Sequence, residues 1–492
     1  MPTRAPVAGR TGEDDLRAEI QSRPQLLLRL AENALTVAEG LRDDYLARTA
    51  RFVAALRKAA TDPTRRDPPL RVAEVGPVGW DEHRGELAAF IDGGVGTVRV
   101  SGRAPILVRV GAYTVRVGER RLADREQFAY YPLILGDLEG GSKHRAGFID
   151  LVRIAAELLG GLAALRRHPD LRVLMFHGPL AHPIGLHAGH TPFTERDVDL
   201  FLRSYDLDAA AGRDLKEGFL REARDHVYPR MTGSADWADR RVFEPLAWVA
   251  YLGRRLVAIA AARDPRPLIA GVVERGGLSD YARTVLLARV FDGLRAKGHA
   301  DYFNQLFGRR DLGSPAALVD RLGYNDAMLL ALLLRPGQYT EPWPIERFDD
   351  LRPMAVRLPD SPGVVSVDYS ALRPGPLGSP RVLGSYLMVS ESTDPLRVET
   401  FDDLGADQVD RAARRACLYA RLLPGYGYPV GLDVADKLAR VPAWLTDAYG
   451  KLIRYHLAAG LARGEVGDAE LRRALLQAIY VTHRDWLFRP TV

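Results

Sequence analysis

Four segments, far apart in this 492-residue chain, carry residues whose types suit one buried acidic site. Asp92 stands in Phe90-Ile91-Asp92-Gly93-Gly94 behind an apolar run, and Glu157 lies inside a helical stretch. His177 closes Leu174-Met175-Phe176-His177 ahead of Gly178-Pro179-Leu180, and Asp436 follows Gly427-Tyr428-Pro429 in Ala435-Asp436-Lys437. An ionised carboxylate in a buried place is costly unless something positive neutralises it, and a divalent cation does so while leaving an open position for a phosphate oxygen. The chemistry suggested is metal-assisted attack on a phosphodiester.

Each residue also has a plainer reading. The glycines after Asp92 predict a sharp turn at a strand end, which either projects the carboxylate towards a substrate or makes Asp-Gly an ordinary hairpin. Asp150 and Glu157, seven apart on one predicted helix, fall near one face; within its nearly apolar stretch Glu157 points either to solvent or into a polar site. Asp433 and Asp436, three apart, could share a face or belong to an exposed amphipathic helix with Lys437 and Arg440. His177, His182, His187 and His190 raise a separate hypothesis of a Zn or Ni site, but their spacing matches no zinc module and Pro179, Pro183, Gly185 and Gly189 predict an irregular loop. Arg275, after Gly271-Val272-Val273-Glu274, is placed at a strand end to contact phosphate. Asn325-Asp326 reads first as a helix N-cap.

Other chemistries fall away. The chain has no Walker lysine motif, no dinucleotide glycine fingerprint and no Gly-x-Ser-x-Gly elbow. Its one cysteine, Cys417, excludes an intramolecular disulfide and a Cys-based zinc cluster, and its apolar neighbours predict an inert core thiol. The formal charge of +5, from 68 basic and 63 acidic residues, gives only slight support to nucleic-acid binding. No apolar run reaches the roughly 18 residues of a membrane span and no signal core opens the chain, so a cytoplasmic protein without membrane attachment is expected.

The elements that must position these residues predict an α/β fold with a mixed sheet. Helical spacing over about 13–61, interrupted by Pro24, predicts an N-terminal arm that packs on a partner or on its own core. Short runs over Leu87–Asp92, Thr97–Val100, Ile106–Val110 and Tyr113–Val117 predict an antiparallel meander, followed by a helix over Ile149–Arg166 and a strand over Arg172–Phe176. Mainly helical residues 181–265 read as an insertion. Beyond it come a strand over Leu268–Val273, helices near 279–294, 315–322 and 325–334, extended runs over Gly363–Asp368 and Val382–Ser390, and closing helices near 405–422, 431–440, 443–463 and 468–482. At this length more than one domain is expected, and the division is 1–62 helical arm, 63–180 first part of the core, 181–265 insertion, and 266–492 second part with C-terminal helices.

In sequential order these motifs resemble the NurA family of DNA end-processing nucleases, which work with the hexameric ATPase HerA. The resemblance spans roughly 85–450 and rests on Ile91-Asp92-Gly93-Gly94, the helix with its acid, Gly178-Pro179-Leu180, Ile269 to Arg275, Asn325-Asp326-Ala327 through Gly337-Gln338-Tyr339-Thr340, and Gly427-Tyr428-Pro429 before Ala435-x-Lys437. It implies an RNase H-like core, Mn2+- or Mg2+-dependent hydrolysis of DNA at a two-metal site, a HerA-type ring ATPase as partner and a homodimer. By matching positions Asp92 and Glu157 become metal ligands. The chain departs from the family in having His177 where Asp is usual before Gly-Pro-Leu, and Asp436 where His is usual in the last motif. The two exchanges either compensate, giving a catalytic and metal-binding set of Asp92, Glu157, His177 and Asp436 with Arg275 and Lys437 on the DNA backbone, or leave a degenerate adaptor that binds DNA or regulates the ATPase without cutting.

Overall fold

The structure is a computed structural model. It describes Ser22, residues 24–60, 68–98, 104–138, 142–182, 188–205, Leu207, residues 209–228, 231–232, 241–274, 276–345, 353–358, 364–375, 378–423 and 425–488. The chain divides into two compact units, one taking in Met1–Pro68, Leu294–Gly313 and Arg454–Val492, the other Pro69–Gly293 and Ser314–Ile453. No helix among the described residues is long and apolar enough to cross a membrane.

In the first unit, the helix Ala47–Ala60 buries Phe52 edge-on against Phe303, ring centroids 5.5 Å apart, and Arg48 donates to the Phe307 carbonyl. The preceding helix, Pro24–Gly40, leaves Leu28 65% and Leu35 61% exposed.

The second unit is built on a mixed sheet. Its strands are β1 (Val72–Glu74), β2 (Leu87–Thr97), β3 (Ala104–Arg116), β4 (Glu126–Leu138), β5 (Leu171–His177), β7 (Leu268–Val273), β8 (Gln338–Thr340), β9 (Trp343–Pro344), β12 (Val382–Leu387) and β13 (Leu396–Phe401). A small separate sheet holds β6 (Met231–Thr232), β10 (Met354–Arg357) and β11 (Val364–Val367). Across the main sheet the order is β1-β8-β12-β13-β7-β5-β2-β3-β4, with β9 beside β12. At its centre β2, β5 and β7 run parallel, and the flanking pairs are antiparallel.

Parallel strands are covered on both faces and therefore read as unbroken apolar runs, as Val173–Phe176 and Leu268–Val272 do. One face is covered by α1 (Ser142–Arg167), itself packed on α2 (Pro245–Ala261). The other face carries α4 (Gln408–Ala420) and α5 (Val430–Ala439), whose Ala412, Ala416, Leu432 and Ala435 join Phe90, Met175 and Val272 in one buried cluster with Cys417. A further helix, α3 (Asp326–Leu333), begins at Asn325, whose side chain accepts from the Met328 N–H as an N-cap.

Two expectations about the meander change. The runs Leu87–Asp92, Ile106–Val110 and Tyr113–Val117 belong to two long strands, β2 and β3, with β4 beside them, whereas of Thr97–Val100 only Thr97 joins β2 and residues 99–100 lie outside the described residues. Within β3, Gly111 and Ala112 separate the two apolar runs, but the ladder continues through both, each paired on both sides, and Gly111 lies against the backbone of Ala435 and Ala439.

Candidate active site

Asp92 does not end a strand. Strand β2 continues to Thr97, and neither Gly93 nor Gly94 has a positive φ, so both the strand-end and the hairpin-turn readings are corrected. The glycines are required for close approach instead. A Cβ on Gly93 would stand 2.5 Å from Oε1 of Glu157, and one on Gly94 would collide with the Ala439 carbonyl oxygen. What ends at this point is the neighbour: the last β2–β5 pair is Ile91 with Phe176, and β5 stops at His177. Asp92 therefore lies where its strand outruns a parallel partner, at the carboxyl edge of the central strands, the usual crevice for ligands in open α/β sheets.

The carboxylate of Asp92 is buried, 5% exposed, and lies 3.3 Å from Nδ1 of His177 through Oδ1, which also accepts from the Gly93 N–H at 2.8 Å. The imidazole is the outer member of the pair, with a third of its side-chain surface open. Burial pulls the His177 pKa down, but the hydrogen bond and charge of Asp92, with the charges of Asp436 and Glu157, outweigh it and hold the imidazole above its ordinary range. All four predicted site residues thus act on one electrostatic neighbourhood.

Glu157 reaches it from α1. It is 6% exposed, and Nη1 of Arg153, one helical turn earlier, bonds its Oε1 at 2.5 Å while Nε holds Asp150 at 3.0 Å. Burial lifts the Glu157 pKa to about 7; Arg153 works against that rise and the nearby charge of Asp92 adds to it. The polar-site reading of Glu157 holds over the solvent one.

Asp436 arrives on α5, which lies close against β2 and β3 because Gly431 faces the Phe90 ring and Gly111 faces the backbone of Ala435 and Ala439 without side chains between. Its carboxylate is partly exposed and takes Nη2 of Arg440 at 2.6 Å. Lys437, 63% exposed, is bonded to Asp433 at 2.5 Å rather than to the Asp92 cluster. Arg275 and His187 lie outside the described residues. His182 is half-buried, and His190 is buried with its ring edge-on to Phe148 at 5.6 Å; among the described residues no three histidines gather to hold a metal.

The donor set of three carboxylates and one imidazole fits a divalent ion that accepts both oxygen and nitrogen, of which Mn2+ is the common example. Among the described residues no three acid, histidine or cysteine side chains stand close enough together to hold a metal ion. Asp92 and His177 are in contact, while Glu157 and Asp436 each pair with an arginine, Arg153 and Arg440.

Several supporting residues escape a reading by motif. Arg153 was visible as an i, i+4 partner of Glu157. Tyr428 sits edge-on to His177, centroids 5.5 Å apart, and its hydroxyl donates to the Val272 carbonyl at 3.3 Å; burial, then the charge of Asp92, pushes its pKa well up. Glu399 on β13, fully buried, accepts from the Leu180 and Ala181 N–H groups at 2.7 and 2.9 Å and from Nε of buried Arg397 at 2.7 Å. It fastens the segment that follows His177.

Several solved structures of low identity align with the chain. The NurA nuclease from Sulfolobus solfataricus is 13% identical with a TM-score of 0.45, over 89% of this chain and 98% of that one. A second NurA structure is 10% identical with a TM-score of 0.38, over 92% and 99%, and a NurA structure with manganese is 9% identical with a TM-score of 0.35, over 84% and 97%. No curated protein matches the chain. Residues 86–441 match the NurA domain, a span that begins one residue before β2 and closes just after α5, and the chain is therefore a member of the NurA family.

Proposed function

We propose that this protein is a divalent-metal-dependent DNA nuclease whose site is Asp92, Glu157, His177 and Asp436 on an RNase H-like core. The observation that carries the reading is the 3.3 Å contact of buried Asp92 with His177, made where β2 outruns β5, with Glu157 and Asp436 charging the same imidazole. Exchange of an imidazole and a carboxylate between two positions that feel each other keeps the donor types of the site while changing which element supplies each. A bound Mn2+ or Mg2+ would activate a water and steady the charge of the leaving oxygen.

The chain's own residues have distinct parts. Asp92 and His177 would hold the ion at the sheet edge, Glu157 and Asp436 would complete its shell, and Arg153 and Arg440 would turn to the phosphates once their carboxylates are engaged. Tyr428 bounds the imidazole on one side and fixes its plane. Lys437 and Arg275 would carry the DNA backbone. Family membership supports a HerA-type ring ATPase as partner, a homodimer and a cytoplasmic setting, with co-purification and sedimentation as their tests.

The experiment is digestion of linear DNA by purified protein with Mn2+, Mg2+ or chelator, wild type against Asp92→Ala. Cleavage that needs the metal and disappears in the variant is expected. Cleavage that survives Asp92→Ala would refute the assignment. A second reading, an adaptor that binds DNA without cutting, draws on Arg153 and Arg440 pairing with two of the four acids and ligands; DNA binding without metal-dependent cleavage in the wild type would establish it.

A further inference from the structure

On the far side of α5 from His177, the edge strand β4 exposes two aromatic rings in line with the site. The register puts Phe90, Tyr113 and Phe128 in one cross-strand row and Asp92, Gly111 and Tyr130 in the next. Two strand spacings separate Asp92 from Tyr130, roughly 10 Å. Phe128 is 50% exposed and Tyr130 46% exposed, and both lie on the face that α5 covers over β2 and β3.

Each ring is backed on one side. The Phe90, Tyr113 and Phe128 rings form a stack, with centroids 6.0 and 5.4 Å apart and planes within 26° of parallel, that runs from the core to the surface. The guanidinium of Arg109 lies 4.3 Å from the Tyr130 ring centroid and donates to the Arg440 carbonyl at 3.3 Å, which ties this cation to the end of α5. The last turn of α5 and the residue that follows it carry Lys437 and Arg440, with 63% and 70% of their side-chain surfaces open and with Asp433 and Asp436 as their ion-pair partners.

Backed aromatic rings with an open face, alternating with cations, suit one class of partner: bases that stack while their phosphates run along positive charge. A duplex keeps its bases paired and turned inward, so a strand reaching these rings must be single.

We propose that Phe128, Tyr130 and Arg109 form a stacking platform for the bases of a single nucleic-acid strand, with Lys437 and Arg440 carrying its phosphates across α5 towards Asp92. The proposal rests on the nuclease reading for its direction, but binding tests it without cleavage. The rings are exposed, so their replacement spares the core. In chelator, fluorescence anisotropy would compare an oligo-dT with an abasic oligomer of the same length, for the wild type, the Phe128→Ala/Tyr130→Ala double variant and the conservative Phe128→Tyr/Tyr130→Phe pair.

Expected are tighter wild-type binding of oligo-dT than of the abasic strand, a loss of about tenfold or more for oligo-dT alone in the alanine variant, and retention in the conservative pair. Equal loss for both oligomers, no loss for either, or no wild-type binding of oligo-dT would overturn it. So would a change in sedimentation of the alanine variant with its DNA binding intact, which would make the surface a contact between protein chains. Loss of the base preference beside a wild type that cuts nothing would sink the nuclease reading and leave the platform standing.

Discussion

Two buried carboxylates in one sheet-based unit, Asp326 and Asp92, are treated in opposite ways. Asp326, fully buried at the start of α3, accepts from the Ala282 N–H at 2.7 Å, the Tyr281 N–H at 3.2 Å and the Tyr386 hydroxyl at 2.9 Å. Its three donors are neutral and come from two segments, Tyr281–Ala282 and β12, and they close the group off. Asp92 has the N–H of its own neighbour and an imidazole that reaches solvent. An acid enclosed by neutral donors serves the fold, whereas one beside a titratable, accessible partner keeps capacity for a ligand.

The largest test of that contrast pairs Asp92→Ala with Asp326→Ala. The first should abolish metal-dependent cleavage while the melting temperature stays near the wild type. The second should strand buried donors and cost roughly 3 kcal/mol of stability in urea titrations, leaving cleavage by the folded fraction intact. Interchange of these outcomes would break the comparison.

Next in size is the exchange of His177 and Asp436. The single variants His177→Asp and Asp436→His should each weaken Mn2+ binding, measured by electron paramagnetic resonance, by about 10- to 100-fold. The double variant should recover most of the loss, and additive losses instead would show that the two positions do not share an ion.

A third effect separates the regions by pH. Burial raises Glu244, the enclosed N-cap of α2, to about 7 and Asp326 to about 6, so the stability each gives is complete below its unfolded value near 4 and is lost as pH rises through the folded one. Unfolding free energy should therefore fall between about pH 4 and 7, by at most about 1.4 kcal/mol per pH unit for each group. Glu157 at about 7 adds to that trend, but Mn2+ requires Glu157 and His177 to release protons, so added Mn2+ should raise the melting temperature more at pH 8 than at pH 6. A metal effect independent of pH would remove Glu157 and His177 from the ion's shell. The smallest effect belongs to Arg440→Ala: its surface ion pair with Asp436 is open to water, and calorimetry should find the melting temperature unchanged.

The sequence was most legible where one physical demand ruled. Strands β5 and β7 must be apolar on both faces, and their limits fall within one or two residues of the runs that announce them. It was least legible where a polar residue is buried with its partner. Strand β13 carries Arg397, Glu399 and Thr400, which look like a solvated stretch until Glu399 is seen holding Leu180 and Ala181 from more than two hundred residues away. Gly93-Gly94 misled for a related reason. Glycine reports either a turn or a close neighbour, and only the fold reveals Glu157 and the Ala439 carbonyl beside it.

Gly94 and Gly111 let the backbone of α5 rest on the backbone of the sheet, and Gly431 lets the helix close over the Phe90 ring, so the reach of Asp436 is set by three positions that carry no side chain. A single methyl at any of the three would lever the helix outward and withdraw its carboxylate from His177. What these positions contribute is emptiness, and a search for function among reactive groups alone would pass them by.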